Sequence, residues 1–191
     1  MAVWIWVVIV VAAVLVVGVA AWALGSQRRT RHLQHRFGPE YDRATSQTES
    51  RREAEADLAA REARRETLDI RPLPAQARER YASRWQDVQA GFVDAPEAAV
   101  EQADKLVHEV MSDRGYPMDD FDQRAADVSV DHPVVVESYR EAHDVYVSMK
   151  AGNSTTEEER WAMRHYRALF DALLDPAGEG ARSTERTGTH G

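Results

Sequence analysis

Six carboxylates crowd one stretch of this 191-residue chain: Asp113, Asp119, Asp120, Asp122, Asp127 and Asp131. Clustered acids are the residue type that holds a divalent cation, but the spacing does not complete such a site. A calcium loop opened at Asp120 needs glycine at its sixth position and a bidentate glutamate at its twelfth, and these positions are Ala125 and Asp131. The acids therefore read as helix caps and a solvated surface. His108, His132, His143 and His165 fall in or beside helical stretches, and none belongs to a His-Glu-x-x-His pair. Folding could bring His143 to Glu137 or Asp144, yet rim histidines satisfied by backbone carbonyls are the plainer reading. His32 and His35 sit among arginines, a poor setting for zinc. No Gly-x-Ser-x-Gly elbow occurs, and the absence of cysteine removes thiol catalysis, thiolate metal sites and disulfides together. Catalytic residues, metal ligands and cofactors are accordingly all expected to be none.

The elements that would carry these residues begin with an uncharged apolar run from Ala2 to Leu24, followed within a dozen positions by Arg28, Arg29, Arg31 and Arg36. As a helix the run is roughly 35 Å long, enough for a hydrocarbon core of about 30 Å. Trp4 and Trp6 stand near one end and Trp22 near the other, where indole rings suit the two interfaces. The run predicts a transmembrane anchor over residues 1–25 and a basic juxtamembrane segment over 26–38. Arginines on the far side of the run place the N-terminus outside and the rest in the cytoplasm, at a plasma membrane, and suit anionic headgroups. The competing reading is an export signal cleaved near Ala21-Trp22-Ala23, opposed by the length of the run and the lack of a basic segment before it.

Beyond residue 37 the charge reverses. The chain carries 24 basic and 32 acidic residues, and four of the basic ones lie before residue 38, leaving 20 against 32. An acidic portion of that kind argues against nucleic acid as a partner, since phosphate binding releases counterions onto Lys and Arg. Residues 39–70, rich in Ala, Glu and Arg, read as a solvated helical stalk, with weak self-association through alanine faces as the minor alternative. Pro72 and Pro74 open a soluble domain over 71–174.

Four main helices follow from its 3.6-residue periodicity. Tyr81, Trp85, Val88 and Phe92 stripe a helix over about 75–91. Asp94, Pro96 and Glu97 signal a capped start for a second helix with Ala99, Ala103, Leu106 and Val110 inward. A short helix is expected around 119–128, and Pro133 opens another, capped by Asp131 or His132, with Val135, Tyr139, Ala142, Tyr146 and Met149 on one side. Ser154 and Glu157 are expected to form a capping box for the last helix, striped by Ala162, Tyr166, Leu169, Phe170 and Leu173. The fold class is thus all-α: an anchor, a stalk, an antiparallel four-helix domain and a disordered tail over 175–191, whose glycines lack the lysine of a phosphate loop.

The stretches RTRHLQHRFGPEYDRA (29–44), LDIRPLPAQARERYASRWQDVQAGFVDAP (68–96) and RGYPMDDFDQRAADVSVDHPVVVESYREAH (114–143) resemble a family of single-span actinobacterial membrane or "secreted" proteins to which no activity is attached. The resemblance implies a bacterial plasma membrane, and it implies no functional residue. Trp161 and His165, slightly off the main stripe of the last helix, are the expected partner surface. The expectation is a membrane-anchored helical adaptor with the bilayer and an unidentified protein as partners. Its rivals are an exported, wall-facing domain and a cation-dependent regulator or enzyme using the 113–131 connection.

Overall fold

The computed structural model describes residues 2–175, apart from the side chains of residues 2, 3, 5, 6, 8–14 and 19–23. The expected disordered tail beyond residue 175 therefore lies outside the described residues, as do the side chains of Trp6 and Trp22. Among the described residues the chain is all-α, with eight helices and no strand. It divides after Ala59 into two compact units.

In the first unit, α1 (Ala2–Phe37) continues through Gly25 and the arginines, so the basic segment is part of one helix rather than a separate stretch. Trp4 is 78% exposed. Among the described residues no helix is long and apolar enough to cross a membrane. Gly38, at φ +48°, takes the left-handed turn that lets α2 (Pro39–Gln47) begin, with Pro39 in its first turn where no amide donor is needed. The next helix is α3 (Arg51–Thr67).

This part departs from a solvated stalk. Leu33, Phe37 and Tyr41 recur every four residues and are buried, as are Ala44, Ala54 and Leu58. At the middle of the unit Glu55 accepts hydrogen bonds from Thr30 Oγ1 (2.8 Å), Tyr41 OH (2.8 Å) and Arg51 Nε (3.0 Å), which ties α1, α2 and α3 together. Burial pushes the Glu55 carboxyl up, but those three donors outweigh it and hold it below its ordinary range.

The second unit begins at Ala60 rather than at the prolines. Arg64 and Arg65, in the last turns of α3, pair with Asp127 and Asp131 of α6 (Phe121–Asp131). Both aspartates are buried, so the acidic connection is not wholly a solvated surface. Four longer helices follow the expected order: α4 (Ala75–Gly91), α5 (Pro96–Asp113), α7 (Val136–Lys150) and α8 (Thr156–Leu174). Their shared core includes Trp85, Leu106, Val110, Tyr139, Tyr166, Leu169 and Phe170. Sequence neighbours run antiparallel: Tyr81 of α4 meets Asp113 of α5, and Glu141 of α7 meets His165 of α8. The central pair does not. Tyr166 meets Asp104 and Leu173 meets Arg114, so α5 and α8 pack parallel.

Three helix starts differ from expectation. Helix α7 begins at Val136, three residues past Pro133, with Val135 at its N-cap and no side-chain cap from Asp131 or His132. Helix α5 begins after Ala95 without a side-chain cap, leaving Asp94 and Glu97 unused as a box. Helix α8 is capped by Thr155 and Glu158, one residue later than Ser154 and Glu157. Gly115 ends α5 at φ +94°, with Tyr116 N donating to Met111 O and Gly115 N to Ser112 O. A β-carbon there would lie 2.5 Å from Asp69 O, so the position admits only glycine.

Candidate functional site

The acids of the 113–131 connection are largely engaged within the fold. Asp113 accepts from Tyr81 OH at 2.6 Å, Asp119 from Arg64 Nη2 at 2.7 Å, and Asp120 caps α6 by accepting from Gln123 N at 2.9 Å. Asp127 accepts from Arg64 Nε (2.9 Å) and Gln123 Nε2 (3.0 Å), while Asp131 accepts from Arg65 Nε and from Tyr116 OH (3.1 Å). Among the described residues no group of three His, Asp or Glu side chains is placed to hold a metal ion.

The histidines converge more than their spacing suggested. His108 Nδ1 stands 3.4 Å from Asp104 Oδ2 one turn earlier on α5, and its Nε2 lies 3.2 Å from Tyr139 OH on α7. Tyr166 OH donates to Asp104 Oδ1 at 2.8 Å, and Arg124 Nε lies 3.5 Å from Tyr139 OH. His143 is not paired with Glu137 but stacks on Phe121, ring centroids 3.6 Å apart. This is a carboxylate–imidazole–phenol relay in form. Its reacting end is closed, because Tyr139 and Tyr166 are fully buried. Burial raises both phenols above their ordinary value, which makes neither a nucleophile at neutral pH. Burial likewise lowers His108 and His143, against the attraction of Asp104. The relay therefore cross-ties α5, α6, α7 and α8, with the half-buried His108 imidazole bridging Asp104 and Tyr139. Asp104 and His108, four apart on one helix face, were the overlooked sequence signal.

Surface chemistry concentrates on the two flanks of α8. At 100° per residue Glu158, Trp161 and His165 fall on one side of its buried stripe, and Arg160, Arg164 and Arg167 on the other. On the first flank Trp161 is 38% exposed and its ring lies 4.0 Å from that of His165. His165 is turned inward, with Nδ1 3.0 Å from Glu141 Oε2. Glu141, Asp144, Val145 and Ser148 of α7 and Ser154, Glu158 and Trp161 enclose a cleft of about 330 Å³. Glu158 accepts from Thr155 N (2.7 Å) and Thr155 Oγ1 (2.8 Å), and these bonds hold its carboxyl below the ordinary range. Three carboxylate residues thus line one cleft with the exposed Trp161.

The second flank has the reverse character. Trp85, Gln89 and Phe92 of the α4 end join Arg160, Met163, Arg164 and Arg167 around a cleft of about 340 Å³. The Arg167 guanidinium lies 5.6 Å from the Trp85 ring centroid and that of Arg160 5.6 Å from Phe92. Helical spacing alone marks these aromatics as core, and nothing in it marks the three arginines. On the first unit, Arg28, Arg29 and Arg31 are exposed and Arg36 is half-buried. Compared with models of known families, with characterised proteins and with solved structures, the chain matches none.

Proposed function

We propose that this chain is a membrane-tethered helical binding module whose α7/α8 cleft receives a basic segment of a protein partner. The observation that carries the reading is Trp161, a large indole left open between Glu141, Asp144 and Glu158. An exposed aromatic face ringed by carboxylates suits a lysine or arginine side chain, which gains cation–π attraction together with charge neutralisation. Anchors of this kind dominate interface energy, and truncating one costs about 2 kcal/mol or more.

The tether rests on the uncharged run from Ala2 to Leu24 and the arginines after it, most of the run's side chains lying outside the described residues. In this reading the N-terminus is outside, the second unit is cytoplasmic, and the membrane is the plasma membrane. The closed relay and the internally paired acids support binding rather than catalysis.

Two measurements test the proposal. The chain has no cysteine, so Thr187→Cys supplies a single reporter. The protein should resist alkaline-carbonate extraction from membranes, and the reporter should be shielded from an impermeant thiol reagent in intact cells; labelling without lysis would assign the domain to the outside. For the cleft, the full chain in zwitterionic nanodiscs should bind an amphipathic Lys/Leu peptide, with about tenfold or greater loss in Trp161→Ala. Equal binding by that variant overturns the assignment.

A further inference from the structure

We propose that the cleft between α4 and α8 is a second, independent site, for a small amphipathic monoanion: an organic carboxylate carried on an aromatic or acyl body. Its floor is apolar, from Trp85, Phe92 and Met163, and its volume of about 340 Å³ is within the range of small-molecule pockets. Its rim is cationic. All three charged side chains in the lining are arginines, although the chain as a whole is acidic.

The rim also sets the charge of the ligand. Arg160 pairs with Glu157, and Arg167 donates to Asp171 Oδ2 at 2.6 Å, so each brings its own counter-ion. Both also lie over floor rings, Arg160 on Phe92 and Arg167 on Trp85. Arg164, between them and exposed, makes no ion pair or hydrogen bond among the described residues. One guanidinium without a counter-ion, presented as a planar two-donor fork, matches one carboxylate. A dianion would leave a charge uncompensated beside Glu157 and Asp171.

The Trp85 indole itself is sealed into the floor, with Phe170 stacked on it and the Arg167 guanidinium above its ring. Trp85 is 1% exposed, and its Nε1 is buried without a hydrogen-bond partner. Buried indole N–H groups normally find an acceptor, and one left without costs roughly 1–3 kcal/mol. The ligand's apolar body covers Phe92 and Met163, and its carboxylate is held by Arg164.

The test uses the full chain in zwitterionic nanodiscs, with empty discs as reference, titrated with 2-naphthoate and with the uncharged 2-naphthalenemethanol. Binding is read by calorimetry and by the Trp85 indole N–H resonance. Naphthoate is expected to bind saturably and move that resonance, the alcohol to bind at least about tenfold more weakly, and Arg164→Gln to lose about tenfold in naphthoate affinity while melting as the parent does. Arg164 is exposed and unpaired, so the variant should fold. Absence of naphthoate binding, an unmoved Trp85 resonance, equal affinity for the alcohol, or unchanged affinity in Arg164→Gln would each overturn the proposal. So would displacement of naphthoate by phosphatidylglycerol added to the discs, which would assign the cleft to a lipid headgroup. None of these outcomes depends on Trp161, so the fate of the α7/α8 reading is separate.

Discussion

The two flanks of α8 share one helix and differ in every property that decides a ligand. Towards α7 an open indole stands among carboxylates; towards α4 a buried indole lies beneath a row of arginines. The helix itself supplies only part of each. Its Arg160, Arg164 and Arg167 are exposed because no other described element covers that side, but the aromatic floor comes from α4; its Trp161 is exposed, but Glu141 and Asp144 come from α7. A single amphipathic helix thus sets two charge environments by its register, and its neighbours decide what each can recognise.

The difference between the tryptophans gives the largest expected effect. Trp85 stacks on Phe170 with ring centroids 4.7 Å apart in the core, so Trp85→Ala should cost about 3–5 kcal/mol in chemical denaturation of the full chain. Trp161→Ala removes a side chain at the surface and should change stability by less than about 1 kcal/mol. Similar losses from both would erase the distinction between floor and docking surface. Next in size is Gly115→Ala, which places a β-carbon against Asp69 O at a left-handed φ and should cost about 2 kcal/mol or more by the same measurement.

A smaller effect is a pH dependence carried by His108 of α5 and His143 of α7. His108 and His143 have folded pKa values below their ordinary 6.5, first because of burial, with Arg124 facing both and adding to the effect; Asp104 opposes it in both, and Asp122 and Asp144 also oppose it at His143. Between the folded value and 6.5 the unfolded chain binds more protons, so stability should be full above about pH 6.5 and fall as the pH drops through that window. His108→Gln should flatten the melting profile there. The carboxylates held below their ordinary 4.5, Glu55, Glu109 and Glu158, act lower on the scale and leave that interval to the histidines.

How much of this was legible in the sequence varied with the range of the interactions. Helix α4 was readable to the residue, because Tyr81, Trp85 and Val88 declare its inner face and Gly91 its end. The cap of α8 slipped by one because Ser154 and Thr155 are both competent; the turn at Gly152, with Asn153 N donating to Ser148 O, and the use of Ser154 Oγ by Glu159 leave Thr155 as the cap. The burial of Asp127 and Asp131 was not readable, since their arginines lie 63 and 66 residues away and a charge on its own reads as solvated. Leu33, Phe37 and Tyr41 form a legible four-residue stripe, but it runs across the Gly38-Pro39 turn, which reads in sequence as a break between elements. The open flanks were half readable: Trp161 and His165 by their offset from the stripe, the arginine row not at all, because its significance depends on the aromatic residues α4 brings beside it.

Opposite ligand selection by the two flanks is tested most directly by one calorimetric comparison on the full chain in zwitterionic nanodiscs, with the Lys/Leu peptide and 2-naphthoate each titrated into Trp161→Ala and Arg164→Gln. The expected result is a crossed pattern: Trp161→Ala loses about tenfold or more for the peptide and keeps naphthoate, and Arg164→Gln does the reverse. Equal weakening of both ligands by either substitution, or no weakening by either, would contradict it.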